Sequence, residues 1–215
     1  YANGTYSDNR YFCMDGDPAD YMPDIFSGRF VTSTDFIDNV IYKTMKWEFD
    51  PLLDPDFWNN GLCPGMLQDN DSNGIADRWF CFTTETVRDT YQNIYGKSFE
   101  RQYVKSGSAS PPYYYRPELP SNSQQVPGDI TWNGSASGIN NAINSGVFLV
   151  QHRDHGSVTG WADPSYYIDD LNDLTNGDKT PMVMSINCLT GQFTNDCFAE
   201  NMFRMEGGAV MVVAA

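Results

Sequence analysis

The chemistry this chain could perform is most visible in two histidines and one of its five cysteines. His152 and His155 are the only histidines among 215 residues, and they come at the end of the apolar run Val147-Phe-Leu-Val-Gln. Cys188 follows a second apolar run, Met182-Val-Met-Ser-Ile-Asn. A thiol is a weak nucleophile until a neighbouring imidazole favours the thiolate, and the imidazole can later protonate a leaving amine. If the two runs lie side by side, the chain carries a cysteine–histidine pair.

The elements that must position these residues alternate as in a parallel α/β sheet. Strands are predicted near residues 11–14, 25–30, 61–67, 99–104, 147–152, 182–187 and 209–213, and helices near residues 36–45, 84–95, 137–144, 169–174 and 197–205. Ser33 or Thr34 is placed to cap the first helix. Open α/β sheets form their sites at the carboxyl ends of the strands. His155 and Cys188 both stand at such an end.

Gly156 follows His155 and lets the backbone come close, so its N–H group and that of Cys188 are candidates for stabilising an oxyanion. Two other interpretations of these residues stay open. Cys188 could be a small buried hydrophobe and the histidine a satisfied polar group. Alternatively, His152, His155 and Cys188 could bind zinc, although a His-x-x-His spacing on a strand places the two rings on opposite faces.

An acidic segment offers a candidate calcium site. The run Asp69-Asn-Asp-Ser-Asn-Gly-Ile-Ala-Asp77 alternates oxygen ligands and contains a glycine, like the first half of an EF-hand loop. The candidate ligands are Asp69, Asp71, Asn73 and Asp77. Phe80 stands where the bidentate glutamate is expected, so the alternative is an acidic turn before the next element. We expect no cofactor for catalysis.

Composition limits the class of protein. The net charge of −15, from 28 acidic and 13 basic residues, makes nucleic acid or an anionic membrane an unfavourable partner. No apolar run approaches the roughly 20 residues of a membrane span. Five irregularly spaced cysteines fit neither a disulfide framework nor a paired Cys-x-x-Cys zinc site. The abrupt apolar end and the absence of a leader at Tyr1 predict an excerpt of a longer precursor. The acidity suits a secreted or cell-surface protein.

Three segments resemble the gingipain family of cysteine peptidases. The run Phe148-Leu-Val-Gln-His-Arg-Asp-His-Gly-Ser-Val-Thr-Gly-Trp-Ala-Asp-Pro is similar to the segment around that family's catalytic histidine. The run Ile186-Asn-Cys-Leu-Thr-Gly-Gln-Phe-Thr-Asn-Asp-Cys-Phe-Ala-Glu is similar to the catalytic cysteine segment. Upstream, Pro23-Asp-Ile-Phe-Ser-Gly-Arg-Phe and the helix containing Lys43-Thr-Met-Lys-Trp-Glu resemble a strand and helix of the family.

The resemblance implies a caspase-like α/β fold, a three-layer sandwich with a mostly parallel sheet. It also implies a secreted endopeptidase that hydrolyses protein or peptide substrates through an acyl-enzyme, with His155 and Cys188 as its dyad. Residues 1–215 would form one catalytic subdomain that lacks the preceding subdomain and the carboxyl-terminal remainder, so the missing parts of its own precursor are expected partners. Two alternatives are a sortase-like transpeptidase of a type IX secretion system and a calcium-stabilised surface domain without catalysis.

Two positions depart from the family pattern. Gingipains place an acidic residue on the catalytic histidine, and the matching position here is Gln68. The histidine orienter is therefore Gln68 as a neutral substitute, Asp69 with a shift of one residue, or absent. The arginine-specific members also carry an acidic residue in the substrate pocket, and that position falls near Cys81, so the resemblance does not support a preference for arginine.

Overall fold

A computed structural model of the protein describes residues 11–14, 22–25, 27–30, 33–117 and 124–215. The chain divides into two compact units, residues 1–31 and 32–215, and the elements below belong to the second. The strands predicted at 11–14 and 25–30 are wrong for the residues described there, which form no strand; residue 26 lies outside the described part. Ile25 and Phe30 are exposed, so the apolar pattern in this segment does not mark a buried strand.

Eight strands and five helices form the second unit within the described residues. The strands are β1 (Asn60–Leu67), β2 (Ser98–Lys105), β3 (Leu149–Arg153), β4 (Gly156–Ser157), β5 (Gly160–Trp161), β6 (Tyr166–Tyr167), β7 (Met182–Ile186) and β8 (Met211–Ala214). The helices are α1 (Ile37–Phe49), α2 (Pro55–Asn59), α3 (Phe80–Tyr95), α4 (Ala136–Ser145) and α5 (Phe198–Arg204), with a 3-10 helix over Ile168–Asp173.

The main sheet has the strand order β2-β1-β3-β7-β8, and every neighbouring pair is parallel. The predicted parallel α/β architecture is therefore confirmed. In the register of β3 and β7, Leu149 lies opposite Met182 and Arg153 lies opposite Ile186. The two apolar runs that precede His155 and Cys188 are thus adjacent strands, as the candidate site requires.

The interior strand β1 is buried along nearly its whole length, as expected for a parallel strand covered on both faces. On one face Leu62 and Val150 pack in a cluster with residues of α4 and α5, including Ile139 and Met202. On the other face the neighbouring side chains, such as Leu149, pack in a second cluster with Cys81 of α3. Helices therefore cover the sheet from both sides and form a three-layer sandwich.

Local structure departs from the prediction in three places. Neither Ser33 nor Thr34 caps α1, because its N-cap is Phe36, which makes no side-chain capping bond. Helix α2 begins after Asp54, whose side chain accepts a hydrogen bond from the N–H group of Asp56. This helix and the small β4–β5–β6 sheet were not predicted, because elements of two to five residues show no measurable periodicity.

Candidate active site

His155 and Cys188 lie just beyond the carboxyl ends of β3 and β7, which are parallel neighbours in the sheet. Both residues are exposed. The other cysteines differ in this respect, since Cys63, Cys81 and Cys197 are buried. Burial raises the pKa of each of these three thiols and so disfavours their thiolates. Cys188 is thus the best-placed nucleophile at the edge of the sheet.

Gly156 brings the histidine segment against the cysteine segment. A Cβ atom added to this glycine would lie 2.7 Å from Cγ of Asn187 and 2.8 Å from the carbonyl oxygen of Cys188. Real Cβ atoms do not come so close to backbone atoms, so any larger residue would push the two segments apart. The absence of a side chain at this position therefore lets the backbone beside His155 touch that of Cys188.

The turn after Cys188 is strained. Leu189 has a φ of 64° and an exposed side chain. The left-handed conformation costs a residue other than glycine about 1–2 kcal/mol. Backbone strain of this kind concentrates at functional turns, where the surrounding structure holds it in place. Here it makes the chain leave β7 sharply, which leaves Cys188 exposed at the strand end.

Gln68 contacts the imidazole of His155, whereas Asp69 does not. The distance between Nε2 of His155 and Oε1 of Gln68 is 3.0 Å. Because an amide oxygen only accepts, Nε2 carries the proton in this pair and Nδ1 is free to accept one. The buried carboxylate of Asp69 instead accepts hydrogen bonds of 3.0 Å each from the N–H groups of Asn73 and Gly74. Of the two candidate orienters, Gln68 is the one within reach.

Two carboxyl groups that the sequence reasoning missed lie around His155. Asp163 is part-buried; burial raises its pKa, and the nearby charge of His155 acts in the opposite direction. Asp154 is 1% exposed, and neither of its oxygens has a hydrogen-bond partner. Burial raises the pKa of Asp154 to about 7; the charge of Asp163 adds to this rise and the charge of Arg153 opposes it. Asp163 is therefore a source of negative charge near His155, whose direct partner Gln68 is neutral.

A buried polar network supports the loop that carries Cys188. Nδ2 of Asn187 donates to Nδ1 of His152 at 2.9 Å and to Oγ of Ser185 at 2.9 Å. Thr190 donates to Oδ1 of Asn187 at 2.6 Å, and Nε1 of Trp161 donates to Ser185 at 2.8 Å. Nε2 of His152 has no hydrogen-bond partner, but the bonds of Asn187 and Thr190 fix the turn on both sides of Cys188.

His152 belongs to this network and not to the exposed site. It is fully buried, and its ring stacks on Trp161 with centroids 4.2 Å apart and an angle of 4° between planes. Burial lowers its pKa to about 3, and the backbone carbonyl of Asp163 offsets this only in part. The imidazole is therefore neutral and supports the fold. A zinc site of His152, His155 and Cys188 has no support, because no three His, Cys, Asp or Glu side chains converge within the described residues.

The acidic loop after β1 is closed by its own hydrogen bonds. Besides the bonds to Asp69, the N–H group of Asn73 donates to Asp71 at 3.3 Å, and Oδ1 of Asn73 accepts from Ile75 at 2.7 Å. Asp77 accepts from the N–H group of Asn70 at 2.7 Å. These oxygens hold the turn that Gly74 allows with a φ of 83°. Calcium binding by this loop stays a prediction.

The whole chain matches the sequence model of a known family. The model described as peptidase family C25 covers residues 1–215. The chain belongs to peptidase family C25. Among other members of the family, it is 25% identical to Lys-gingipain of Porphyromonas gingivalis over 213 residues, which are 97% of this chain and 10% of that protein. It therefore spans about a tenth of that relative's length. The predicted gingipain-type family is confirmed.

Solved structures confirm the caspase-like fold expected for family C25. The crystal structure of the Arg-specific cysteine proteinase gingipain R matches with a TM-score of 0.71 and 23% identity, over 98% of this chain and 44% of that one. The complex of Porphyromonas gingivalis RgpB pro- and mature domains matches with a TM-score of 0.71 and 22% identity, over 98% and 45% of the two chains.

No helix among the described residues of this family C25 chain is both long and apolar enough to cross a membrane.

Sequence reasoning found the exposed pair and missed the residues around it. Asp163 lies in the segment already singled out by its likeness to the family, directly after Trp161 and Ala162. No sequence pattern indicated that Asp154 is buried, because an acidic residue before a histidine is usually solvated. Phe80, whose ring meets the imidazole of His155 edge-on at 5.1 Å, comes from a helix start with no visible link to the strand.

Proposed function

We propose that this chain carries the catalytic centre of a secreted cysteine endopeptidase, in which Cys188 is the nucleophile and His155 is the general base and acid. The observation that supports it best is the contact of Gly156 with Asn187 and Cys188. This contact requires the two strand ends to meet, and His155 is the residue next to the glycine. Membership of family C25 supports the same reaction class.

The reaction begins with transfer of the thiol proton from Cys188 to Nδ1 of His155. The thiolate attacks the carbonyl carbon of the scissile bond, and the N–H groups of Gly156 and Cys188 stabilise the oxyanion that forms. As the C–N bond breaks, the imidazolium gives its proton to the leaving amine and a thioester remains. A water molecule, deprotonated by His155, then attacks the thioester carbonyl, releases the acid and restores the thiol.

Gln68 and Asp163 have separate roles in this proposal. Gln68 accepts the hydrogen bond from Nε2 and so keeps Nδ1 free to take the thiol proton. A neutral amide cannot compensate the charge of an imidazolium, and the carboxylate of Asp163 supplies the negative charge instead. The orienting and charge-stabilising functions, which one carboxylate performs in a typical triad, are divided here between two residues.

We also propose that the protein acts outside the cell and that a segment of its own precursor associates with this catalytic part. The net charge of −15 suits a secreted protein. One of the similar solved structures is a complex of pro- and mature domains, which supports the second point.

The test is covalent labelling of the full-length protein with peptidyl electrophiles, followed by mass spectrometry of the adduct. We expect the label on Cys188. Cys188→Ala should lower turnover by about 10⁴-fold or more, because removing the nucleophile of a catalytic unit costs nearly the whole rate enhancement. The matched control is Cys197→Ala, a buried cysteine whose loss should cost about 1 kcal/mol of stability and leave turnover intact.

A label on a different cysteine, or near-normal turnover by the Cys188→Ala protein, would refute the mechanism. An unlabelled wild-type protein that cleaves no peptide would instead support a surface domain without catalysis.

A further inference from the structure

Arg153 is the last residue of β3, and its guanidinium lies close to both halves of the candidate site. Its Nη1 atom donates a hydrogen bond of 2.9 Å to the carbonyl oxygen of Ile186, the last residue of β7. Its guanidinium carbon lies 5.0 Å from the centroid of the Phe80 ring. That ring contacts His155 at 5.1 Å. The side chain is only half-buried, so solvent or a ligand can reach it.

The charge of Arg153 has no ion-pair partner within the described residues. Ion pairs are formed, by contrast, by Lys46, Arg88, Arg101, Lys179 and Arg204. A guanidinium has five N–H donors, and one carbonyl satisfies one of them. The charge of Arg153 opposes the rise in the pKa of the neighbouring Asp154, but the two side chains form no ion pair, and neither oxygen of Asp154 has a hydrogen-bond partner. Most donors of the Arg153 guanidinium are therefore available to a ligand beside the candidate site.

The guanidinium of Arg153 is hydrogen-bonded to the chain two positions before the candidate nucleophile Cys188. Ile186 and Cys188 are two positions apart, so their Cα atoms are separated by at most about 7.6 Å, two steps of 3.8 Å. The guanidinium is hydrogen-bonded to the first of these residues. A substrate whose carbonyl carbon meets the thiol of Cys188 would thus have its neighbouring side chain within reach of Arg153.

We propose that Arg153 is a specificity-determining residue that binds a carboxylate on the substrate, so that the protein cleaves after aspartate or glutamate. This inference rests on the proposed function of Cys188 and His155. Arginine suits the role because its planar donors match the two oxygens of a carboxylate. A substrate arginine would instead be repelled, which agrees with the absence of an acidic residue at Cys81.

The cleft beside Gln68 does not supply this selectivity. It has a volume of about 520 Å³, and its charged lining residues are Asp71, Asp77, Arg78 and Arg116. Two acidic and two basic groups favour neither sign of charge. Arg153 is therefore the group that would set the preference.

The experiment compares peptides that differ only in the residue before the scissile bond, as the pairs Asp/Asn and Glu/Gln and as Arg, on the full-length protein. A hydrogen-bonded ion pair in a partly dry site should make kcat/KM about 10–100-fold higher for the acid than for its amide. Arg153→Gln should bring that ratio close to one. Arg153→Lys should keep part of it, and Arg153→Glu should shift the preference toward arginine.

Arg204→Gln is the matched control. Arg204 also lies over a phenylalanine, with its guanidinium carbon 5.2 Å from the centroid of Phe36, but its charge is paired with Asp196 at 2.9 Å. The ratio of acid to amide should not change in this variant. If the ratio of acid to amide cleavage falls in both variants, the fall reflects a loss of stability, and the role assigned to Arg153 is wrong.

Wild-type preferences separate this inference from the proposed function. Equal cleavage after the acid and the amide, with Cys188 still labelled, would overturn the role of Arg153 and leave the peptidase assignment intact. Dominant cleavage after arginine would also overturn the role of Arg153 and leave the peptidase assignment intact. If no peptide is cleaved and Cys188 is not labelled, the proposed function itself fails. If Arg153→Gln fails to fold, the acid-to-amide ratios of the wild type and of Arg153→Lys still test the role of Arg153.

Discussion

Replacing Asp154 with asparagine should stabilise the protein, and the gain should grow with pH. The Asp154 carboxyl is 1% exposed and neither of its oxygens has a hydrogen-bond partner. Burial therefore raises its pKa to about 7, compared with about 3.9 in an unfolded chain. Asparagine has nearly the same shape but never ionises, so the variant removes the cost of the buried charge and preserves the packing.

The direction of the pH dependence follows from which state, folded or unfolded, holds the proton of Asp154. Below about pH 4 the carboxyl is protonated in both states and contributes nothing. Between about pH 4 and pH 7 the unfolded chain releases the proton while the folded protein keeps it, so the wild type loses stability as the pH rises. The gap between the two pKa values corresponds to at most about 4 kcal/mol. Solvent screening lowers this, so we expect a relative gain for Asp154→Asn of about 1–2 kcal/mol between pH 5 and pH 8.

The assay is thermal or urea unfolding of both proteins across this pH range. For a domain of this size the gain corresponds to a difference in Tm that widens by about 3–6 °C from pH 5 to pH 8. Asp173→Asn, at an exposed position, is the control and should follow the wild-type curve. Parallel curves for wild type and Asp154→Asn would show that Asp154 is not a buried, protonated carboxyl.

Two further predictions concern stability. Lys43 is 2% exposed, and its three N–H donors share four backbone carbonyl oxygens at 2.5–3.0 Å, the first in α5 and the others between α5 and β8. Lys43→Met should therefore lower the free energy of unfolding by about 3 kcal/mol. The control Lys46→Met breaks a surface ion pair and should lower it by under about 0.5 kcal/mol. Equal losses for the two variants in urea titrations would refute this. If the loop from Asp69 to Asp77 binds calcium, a concentration of 100 times Kd should add about 2.7 kcal/mol, and identical melting curves with calcium and with chelator would remove that site.

Much of the fold was predictable because helices cover both faces of the sheet. Strands such as β3 and β7 are short apolar runs that stand out from polar surroundings, and parallel strands bring their carboxyl ends to one edge. From that rule alone His155 and Cys188 could be paired. Gly156 could be singled out because a glycine beside a reactive residue indicates a close backbone approach.

The rest depends on contacts between segments far apart in the sequence, which leave no local pattern. Gln68 and Asp69 are neighbours, and only the backbone turn after β1 decides which of them faces the imidazole. His152 and His155 have the same side chain, but β3 buries the first and ends before the second. Arg153 looks like a surface charge in the sequence, and its lack of an ion pair emerges only when every neighbour is known.

Strand order also constrains how quickly the site can form. Gln68 and His155 are 87 positions apart, and Lys43 reaches a carbonyl 166 positions away, so closing these loops costs much chain entropy before any contact is gained. Parallel sheets with such distant pairings fold slowly. β3 must pair with both β1 and β7 before His155 and Cys188 meet, so in the proposed mechanism the thiol would have no base until these strands are assembled. If the proposed mechanism holds, the strand topology would keep a partly folded molecule inactive.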